Sequence, residues 1–192
     1  FYIIFAVMVT SLFLRMFIVD SFEVKGDSMA PTILKGDYVF IDKVSHLFKK
    51  GDYIFNRQDI VVTKVRQRAD RILKRIIGLP GERLEIANSG SILIKKDRKD
   101  KGKILTEDYS YDFPIPPNSN LDNNTLNIAN IAAITPTIGL NAIQLDPKEY
   151  FILGDNRYVS IDSRELGPVD EWDIEGRVFF IFRPRSLFVK IF

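Results

Sequence analysis

The hydrophobic positions of the chain follow two different patterns. The first, residues 1–14 with the sequence FYIIFAVMVTSLFL, is a continuous apolar run, which Arg15 interrupts and MFIV resumes. A bilayer span takes about 20 apolar residues. The run therefore predicts that residues 1–19 form part of a transmembrane anchor helix whose beginning precedes Phe1. A buried core helix and a cleavable signal peptide are the alternatives, and the latter lacks a basic start and a small-residue cleavage site.

The second pattern follows the apolar run and consists of short stretches rich in Val, Ile, Phe and Tyr. Turn signals such as KGD, LPGE, NSG and GDN separate them. Stretches of this length and composition between turn residues are typical of β-strands, so the chain is predicted to be mainly β. The predicted strands are YVFIDKV, DIVVTKV, RILKRIIGL, SILIKK, NAIQL, YFIL and GRVFFIF.

One section, residues 97–141, departs from this pattern. It begins within the lysine-rich KKDRKDKGK, continues with PIPPNSNLDNN, and becomes only mildly apolar in TLNIANIAAITPTIGLN. A chain of 192 residues can form one sizeable core with a smaller lobe inserted into it. We therefore expect a β core of residues 20–96 and 142–192 and an inserted lobe of residues 97–141. The lysine-rich run is interpreted as a solvated turn, or else as a contact for anionic lipid.

Composition narrows the chemistry by exclusion. The net charge of +2 gives no electrostatic footprint for nucleic acid. Cysteine is absent, which excludes disulfides, a thiolate nucleophile and cysteine metal sites, and the single histidine, His46, cannot form a histidine-rich metal site. We therefore expect no nucleic-acid partner, no metal and no cofactor.

A candidate nucleophile is Ser28, in the stretch VKGDSMAPTILKGD. A serine hydroxyl attacks poorly until a neighbouring base takes its proton. His46 lies in the polar turn HLFKKGD and is a weak candidate for that base. A lysine can act instead if burial in apolar surroundings lowers the pKa of its amine from about 10.4 toward the working pH.

The stretch RILKRIIGLPG contains such a lysine. If residues 71–77 form a strand, alternation places Lys74 between Ile72 and Ile76 on one face and Arg75 on the other face. A lysine on an edge strand that extends into water is the alternative interpretation.

A third stretch, FILGDNRYVSIDSRELGPV, joins a buried-looking strand to a loop dense in Asp, Asn, Arg and Ser. Such a loop cannot form a core. It is either a turn stabilised by local side-chain hydrogen bonds or a segment whose polar groups hold a site in place.

Together, GDSMAPTILKGD, LKRIIGLPGE, the weaker RQDIVVTKV and GDNRYVSIDSRELGPV resemble the bacterial type I signal peptidases. These are membrane-anchored serine proteases with a Ser-Lys dyad, and the four stretches follow the apolar segment in the order found in that family. The resemblance covers Phe22 to about Arg183, apart from the inserted section. It implies an antiparallel β catalytic core with a second, variable β lobe.

The resemblance also implies roles for individual residues. Ser28 corresponds to the nucleophile, with its backbone N–H as an oxyanion donor, and Lys74 corresponds to the general base. Ser160 matches a serine that orients the lysine amine. Some relatives have a serine as a second oxyanion donor where this chain has Gly26.

Two ion pairs are implied beside the dyad. Asp155 matches an aspartate that pairs with the arginine after the catalytic lysine, here Arg75. Asp162 and Arg164 match a second structural pair.

The family binds substrates as an extended strand with small residues at the first and third positions before the cut. The positions that correspond to its pocket walls are Phe22, Val24, Met29, Ile33, Ile72 and Leu73.

The implied function is removal of signal peptides from exported preproteins at the outer face of the bacterial cytoplasmic membrane, with the lipid bilayer and signal peptides as partners. The sequence departs from the family pattern at Tyr158 and Val159, at Gln58, and at Ile33. A self-cleaving Ser-Lys protein and a membrane-tethered β binding module are the alternatives.

Overall fold

The computed structural model describes residues 1–44, 53–65, 71–86, 92–96, 99–107, 142–184, 186 and 188–192. His46 and residues 108–141 lie outside the described residues. Helix α1 is Tyr2–Phe17, and a single helical turn, α2, is Ser163–Leu166. The strands are β1 Val19–Glu23, β2 Tyr38–Asp42, β3 Ile60–Lys64, β4 Arg71–Gly78, β5 Arg83–Ile86, β6 Ile92–Lys95, β7 Lys103–Ile104, β8 Ala142–Gln144, β9 Glu149–Leu153, β10 Val169–Asp170, β11 Ile174–Arg183 and β12 Phe188–Ile191.

Most of these strands form one antiparallel sheet. Its order is β1-β2-β11-β3-β4-β9-β10, and β12 pairs with the C-terminal part of β11. Each predicted strand segment forms a strand, so the mainly β class is confirmed. In the register of β3 and β4, Val61 lies opposite Lys74 and Ile60 lies opposite Arg75. The register thus places the candidate base opposite a buried valine of β3.

Alternation along the strands divides the core into clusters. Leu73 packs in one cluster with Val39, Ile41 and Val62, whereas Ile72 and Ile76 pack around a second cluster. Adjacent residues of β4 therefore face opposite sides of the sheet, as predicted. A third cluster lies where the main sheet meets the smaller sheet, and its members include Ile77, Leu84, Leu145 and Phe151.

The smaller sheet has the order β7-β6-β5-β8. Its strands β5 and β6 precede residue 97, β7 lies within the predicted insertion, and β8 follows it. The second sheet therefore combines strands from both sides of the section. The division into residues 20–96, 97–141 and 142–192 stays a prediction, because residues 108–141 lie outside the described part of the chain.

Residues 1–19, predicted as part of a membrane anchor, contain α1. This helix has 16 residues, which at 1.5 Å per residue is a length of about 24 Å. Among the described residues, no helix combines the length and the apolar character that a membrane crossing requires. The structure therefore confirms a helix here but not a membrane span.

Gly176, on the central strand β11, provides a test of this packing. A Cβ at Gly176 would lie 2.4 Å from the backbone oxygen of Asp42 on β2. Since backbone of a paired strand moves little, Gly176→Ala should lower the free energy of unfolding by about 1–3 kcal/mol, measured by urea denaturation. Gly26→Ala is the control, because no described atom lies within 4 Å of the Cβ it would add. Equal stability of the two variants would contradict the described approach of β2 and β11.

Candidate active site

Ser28 lies in a tight turn just after β1. The N–H of Ala30 donates to the Asp27 carbonyl at 3.2 Å, and the N–H of Ile33 donates to the Met29 carbonyl at 2.9 Å. Met29 and Ile33 are buried and anchor the turn in the core. Ser28 itself is half-buried, so its hydroxyl lies at the boundary between core and solvent.

Backbone hydrogen bonds join the two ends of the segment that carries Ser28. The N–H of Val24 donates to the Asp37 carbonyl, and the N–H of Gly36 donates to the Val24 carbonyl, both at 2.8 Å. Gly36 has φ +89°, a conformation that suits glycine. Arg183 at the end of β11 donates two hydrogen bonds to the buried carboxylate of Asp37, at 2.9 and 2.8 Å. The nucleophile segment is therefore fixed to the central strand of the sheet.

Lys74 approaches Ser28 from β4. Its Nζ lies 2.8 Å from Ser28 Oγ and 2.9 Å from the Leu73 carbonyl oxygen, and the residue is only 3% exposed. The structure thus brings together the two residues that the sequence singled out, which are 46 positions apart. At this distance a proton can pass directly between hydroxyl and amine.

The environment favours the neutral amine of Lys74. Burial lowers its pKa from 10.5 to about 8; the carboxylate of Asp162 opposes the decrease, the guanidinium of Arg164 adds to it, and Asp155 opposes it further. A charged ammonium loses hydration that its surroundings do not replace. The lowered pKa and its cause agree with the physical argument drawn from the sequence, and the role of the amine as a base stays a prediction.

Each carboxylate near the amine has its own arginine. Arg75 Nε and Nη2 donate to Asp155 at 2.8 and 2.6 Å. Arg164 Nε and Nη2 donate to Asp162 at 2.8 and 2.9 Å. Both predicted pairs are thus present in the structure, and all four residues are buried.

These pairs also fix the backbone around the site. Arg75 Nη1 donates to the Gln58 carbonyl at 3.0 Å, where Gln58 has φ +69°. Asp162 caps α2 and accepts from the N–H of Gly154 at 2.9 Å. Asp162 thereby connects the first residue of the loop after β9, Gly154, to the start of α2 at the end of that loop.

Gly154 is where this loop touches the nucleophile turn. A Cβ at Gly154 would lie 2.6 Å from the Ser28 carbonyl oxygen and 2.2 Å from Ser160 Oγ. The N–H of Asn156 donates to the same Ser28 carbonyl at 3.0 Å. Only glycine permits this approach, which holds Ser28 and Ser160 on either side of one backbone position.

One predicted site residue differs from its expected arrangement, and a second is as the sequence indicated. Ser160 is 5% exposed, but its Oγ has no hydrogen-bond partner among the described residues, so the expected bond to the Lys74 amine is not formed in this structure. Gly26 is exposed and contributes no side-chain donor. The roles assigned to both residues stay predictions.

The positions predicted as pocket walls separate into two groups. Val24, Met29, Ile33 and Leu73 belong to one cluster, with Phe22 packed against it. The sixth predicted residue, Ile72, packs instead against the cluster on the opposite side of β4.

Strands β1 and β4 both have edges that are unpaired among the described residues, and the region between these two edges is called the slot. Among the described residues, β1 pairs only with β2, and β4 pairs with β9 only from Arg75 onward. Arg71 Nη1 on β4 nevertheless lies 3.0 Å from Asp20 Oδ2 on β1. The two edges therefore approach each other, with Phe22 and Leu73 between this ion pair and Ser28.

Comparison with known proteins decides the family. The family described as signal peptidase, peptidase S26, matches residues 1–183. The chain belongs to this family. The resemblance drawn from the sequence motifs is thus confirmed, and the protein is a peptidase of the serine hydrolase class.

Relatives of this peptidase match over most of their length. It is 30% identical over 181 residues to signal peptidase I P of Bacillus subtilis subsp. natto, which covers 93% of the chain and 84% of that protein. It is 32% identical over 182 residues to signal peptidase IB of Staphylococcus aureus strain COL, covering 90% and 82%. The crystal structure of a signal peptidase I from Enterococcus faecalis V583 matches with 31% identity and a TM-score of 0.45, covering 67% of this chain and 97% of that one.

Sequence reasoning missed three contacts that support the site of the peptidase. Asp37 and Arg183 form the pair that anchors the nucleophile segment. Arg157 donates to the Gly154 carbonyl at 2.9 Å and pairs with Glu107, from the section predicted as an insertion. An arginine directly after the apolar run of β11 was a usable signal for the first pair. Nothing local in the sequence pairs residue 107 with residue 157.

The lowered pKa of Lys74 predicts a pH-dependent stability. The unfolded amine keeps its proton up to about pH 10.5, whereas the folded amine loses it near pH 8. The burial penalty is therefore fully present below pH 8, and stability rises between these two values. Relative to Lys74→Met, the free energy of unfolding should increase by about 3 kcal/mol over this range, measured by urea denaturation at a series of pH values.

Lys35→Met, at an exposed lysine, controls for the general loss of one positive charge. Curves of stability against pH that run parallel for the wild type and Lys74→Met would contradict the lowered pKa.

Proposed function

We propose that this peptidase is a membrane-anchored serine endopeptidase that removes N-terminal signal peptides from exported preproteins, with Ser28 as nucleophile and Lys74 as general base. The observation that carries the proposal is the buried amine of Lys74, 2.8 Å from Ser28 Oγ. The names of the relatives, which are signal peptidases, support the substrate class.

The first half of the reaction forms an acyl-enzyme. The neutral Lys74 amine accepts the proton of the Ser28 hydroxyl while Oγ attacks the scissile carbonyl carbon, which becomes tetrahedral. The resulting ammonium then donates that proton to the leaving amine as the C–N bond breaks. The signal peptide remains esterified to Ser28, and the mature chain leaves with a new N-terminus.

The second half reverses these roles with water. The amine of Lys74, neutral again, takes a proton from a water molecule that attacks the ester carbonyl. Collapse of the second tetrahedral intermediate releases the signal peptide as a carboxylic acid and returns the proton to Ser28 Oγ. One amine thus serves both steps, and its pKa of about 8 allows it both to accept and to donate near neutral pH.

The negative oxygen of each intermediate needs a donor. The backbone N–H of Ser28 is the proposed donor, and Gly26 adds no side-chain hydroxyl. One oxyanion donor can be worth a hundredfold or more in rate, so another group or a water molecule is proposed to take the place of the missing hydroxyl.

Ser160 is proposed to stabilise the ammonium state. The protonated amine has three N–H donors. Ser28 Oγ and the Leu73 carbonyl lie within hydrogen-bond distance of Nζ, which leaves one donor over. Ser160 Oγ is buried, has no hydrogen-bond partner among the described residues, and lies beside Gly154, which contacts the Ser28 carbonyl. We propose that this oxygen accepts the third hydrogen bond when the amine becomes charged.

The slot between β1 and β4 is the proposed site for the signal peptide side of the substrate. An extended peptide would pair with the unpaired strand edges, which is binding by strand addition. Phe22, Val24 and Leu73 leave little depth beside it, so small side chains before the scissile bond are favoured by exclusion.

Membrane attachment belongs to the same proposal. Residues 1–9, which contain the first half of α1, include large apolar side chains that are exposed, such as Phe1, Ile3 and Ile4. Apolar surface of this kind is costly in water and suits a lipid environment. We propose attachment to the bacterial cytoplasmic membrane, with the catalytic sheet on its outer side where exported chains emerge.

A binding module without catalysis is the weaker candidate. It would bury a lysine amine whose pKa is lowered from 10.5 to about 8, at a cost to folding of about 3 kcal/mol at low pH, without a function for that amine. A catalytic base beside a hydroxyl accounts for the burial of this amine despite that cost.

The dyad is tested by Ser28→Ala and Lys74→Met. Both variants should lose at least a thousandfold in cleavage of a preprotein after an Ala-x-Ala site, because neither step has another base or nucleophile. The cleavage rate of the wild type should rise with pH through a midpoint of about 8, since only the neutral amine is active. Cleavage is followed by mass spectrometry, and circular dichroism verifies that each variant is folded. Substantial cleavage by either variant, or a rate that is flat from pH 6 to 9, would refute the dyad.

Ser160→Ala separates a catalytic role from a structural one. The hydroxyl has no partner among the described residues, so its removal should leave the free energy of unfolding equal or higher. The cleavage rate should nevertheless fall by about tenfold or more, with KM unchanged, because the ammonium loses its third acceptor. A variant that retains the full rate would show that Ser160 does not support Lys74.

A further inference from the structure

The loop after β9 reverses the usual distribution of polar and apolar side chains. Every polar residue from 155 to 164 is buried, and every apolar residue in it is exposed. The buried residues are Asp155, Asn156, Arg157, Ser160, Asp162, Ser163 and Arg164. The exposed ones are Tyr158 at 52%, Val159 at 60% and Ile161 at 41%. We refer to these three residues as the loop rim.

The burial of the polar residues is explained by their contacts in the site. The exposure of the apolar residues is not explained by those contacts. The polar side chains form the ion pairs and caps described above, so their burial is compensated by hydrogen bonds. Exposed apolar side chains gain nothing in water, and a cluster of them next to a site indicates a contact surface. The loop rim is therefore a candidate contact surface.

The loop rim lies beside the nucleophile. Ser160 points inward against Gly154, which itself touches the Ser28 carbonyl oxygen. Its neighbours Val159 and Ile161 must then point outward on either side of Ser160. The N–H of Asn156 donates to the Ser28 carbonyl, and three extended residues reach about 10 Å. Val159 is thus within the reach of a peptide chain that passes Ser28.

The proposed function brings a substrate toward this region. In the proposed binding mode the signal peptide side lies in the slot between β1 and β4 and reaches Ser28, and the residues after the scissile bond continue beyond Ser28. The loop after β9 contacts the Ser28 carbonyl, and none of its described residues belongs to the cluster that holds Leu73.

We propose that the loop rim binds the first residues after the scissile bond and favours apolar over charged side chains at those positions. This inference rests on the proposed function and extends it to the mature side of the substrate. Val159 and Ile161 contribute apolar contact area, and Tyr158 adds a ring with a polar end. Charged side chains at these positions would lose hydration against the rim without gaining a partner.

The test uses soluble peptides that are identical through an Ala-x-Ala site. They differ only in the two following residues, which are Val-Val in one peptide and Asp-Asp in the other. The wild-type chain in detergent should cleave the first with a higher kcat/KM. The double variant Val159→Thr/Ile161→Thr keeps the branched shape of both side chains and should reduce this preference threefold to tenfold, chiefly through the apolar peptide.

Ile104→Thr is the matched control, because Ile104 on β7 is 59% exposed and has the same chemistry. It should leave the preference unchanged. A double variant that slows both peptides equally would indicate a loosened loop and overturn the inference. An unchanged preference with weaker sedimentation on phosphatidylglycerol vesicles would assign the loop rim to lipid instead and also overturn it. Failure of the wild type to cleave either peptide would overturn the proposed function itself.

Discussion

The candidate site depends on keeping one lysine amine out of water and close to a hydroxyl. Burial is the largest cause of the lowered pKa of Lys74, and two carboxylates, Asp162 and Asp155, lie near enough to oppose it. Each carboxylate is compensated by its own arginine through a two-bond contact. The guanidiniums thus do more than hold the loops: they weaken the field that would otherwise restore the charge on the amine.

The sheet makes this arrangement compact. Successive residues of β4 supply the amine on one face and, through Arg75, a support for the loop after β9 on the other. That loop returns to contact the Ser28 carbonyl through Gly154 and Asn156. Base, nucleophile and supporting loop are therefore positioned by one strand and the elements that touch it, and a shift of β4 would disturb all three together.

Much of this was predictable from the sequence, for physical reasons. Strand alternation placed Lys74 and Arg75 on opposite faces, and the absence of a suitable histidine made a lysine base the best alternative. The sequence analysis began from Ser28 as the candidate nucleophile, and the motifs then supported Lys74 as its base. Alternation did not separate Ile72 from Leu73 as pocket residues, because the expected role came from motif position and not from the side of the strand. The two-residue strands and the contact between residues 107 and 157 depend on tertiary packing that no local pattern encodes.

The ion pair between Arg157 and Glu107 has one further consequence. Glu107 directly precedes the stretch in which the chain departs most from regular strand sequence, and its carboxylate meets a guanidinium that also bonds the Gly154 carbonyl. The section predicted as an inserted lobe is thus joined by an ion pair to the backbone that contacts the Ser28 carbonyl. Loss of the Glu107 carboxylate would therefore leave a buried guanidinium without this ion pair next to the nucleophile turn.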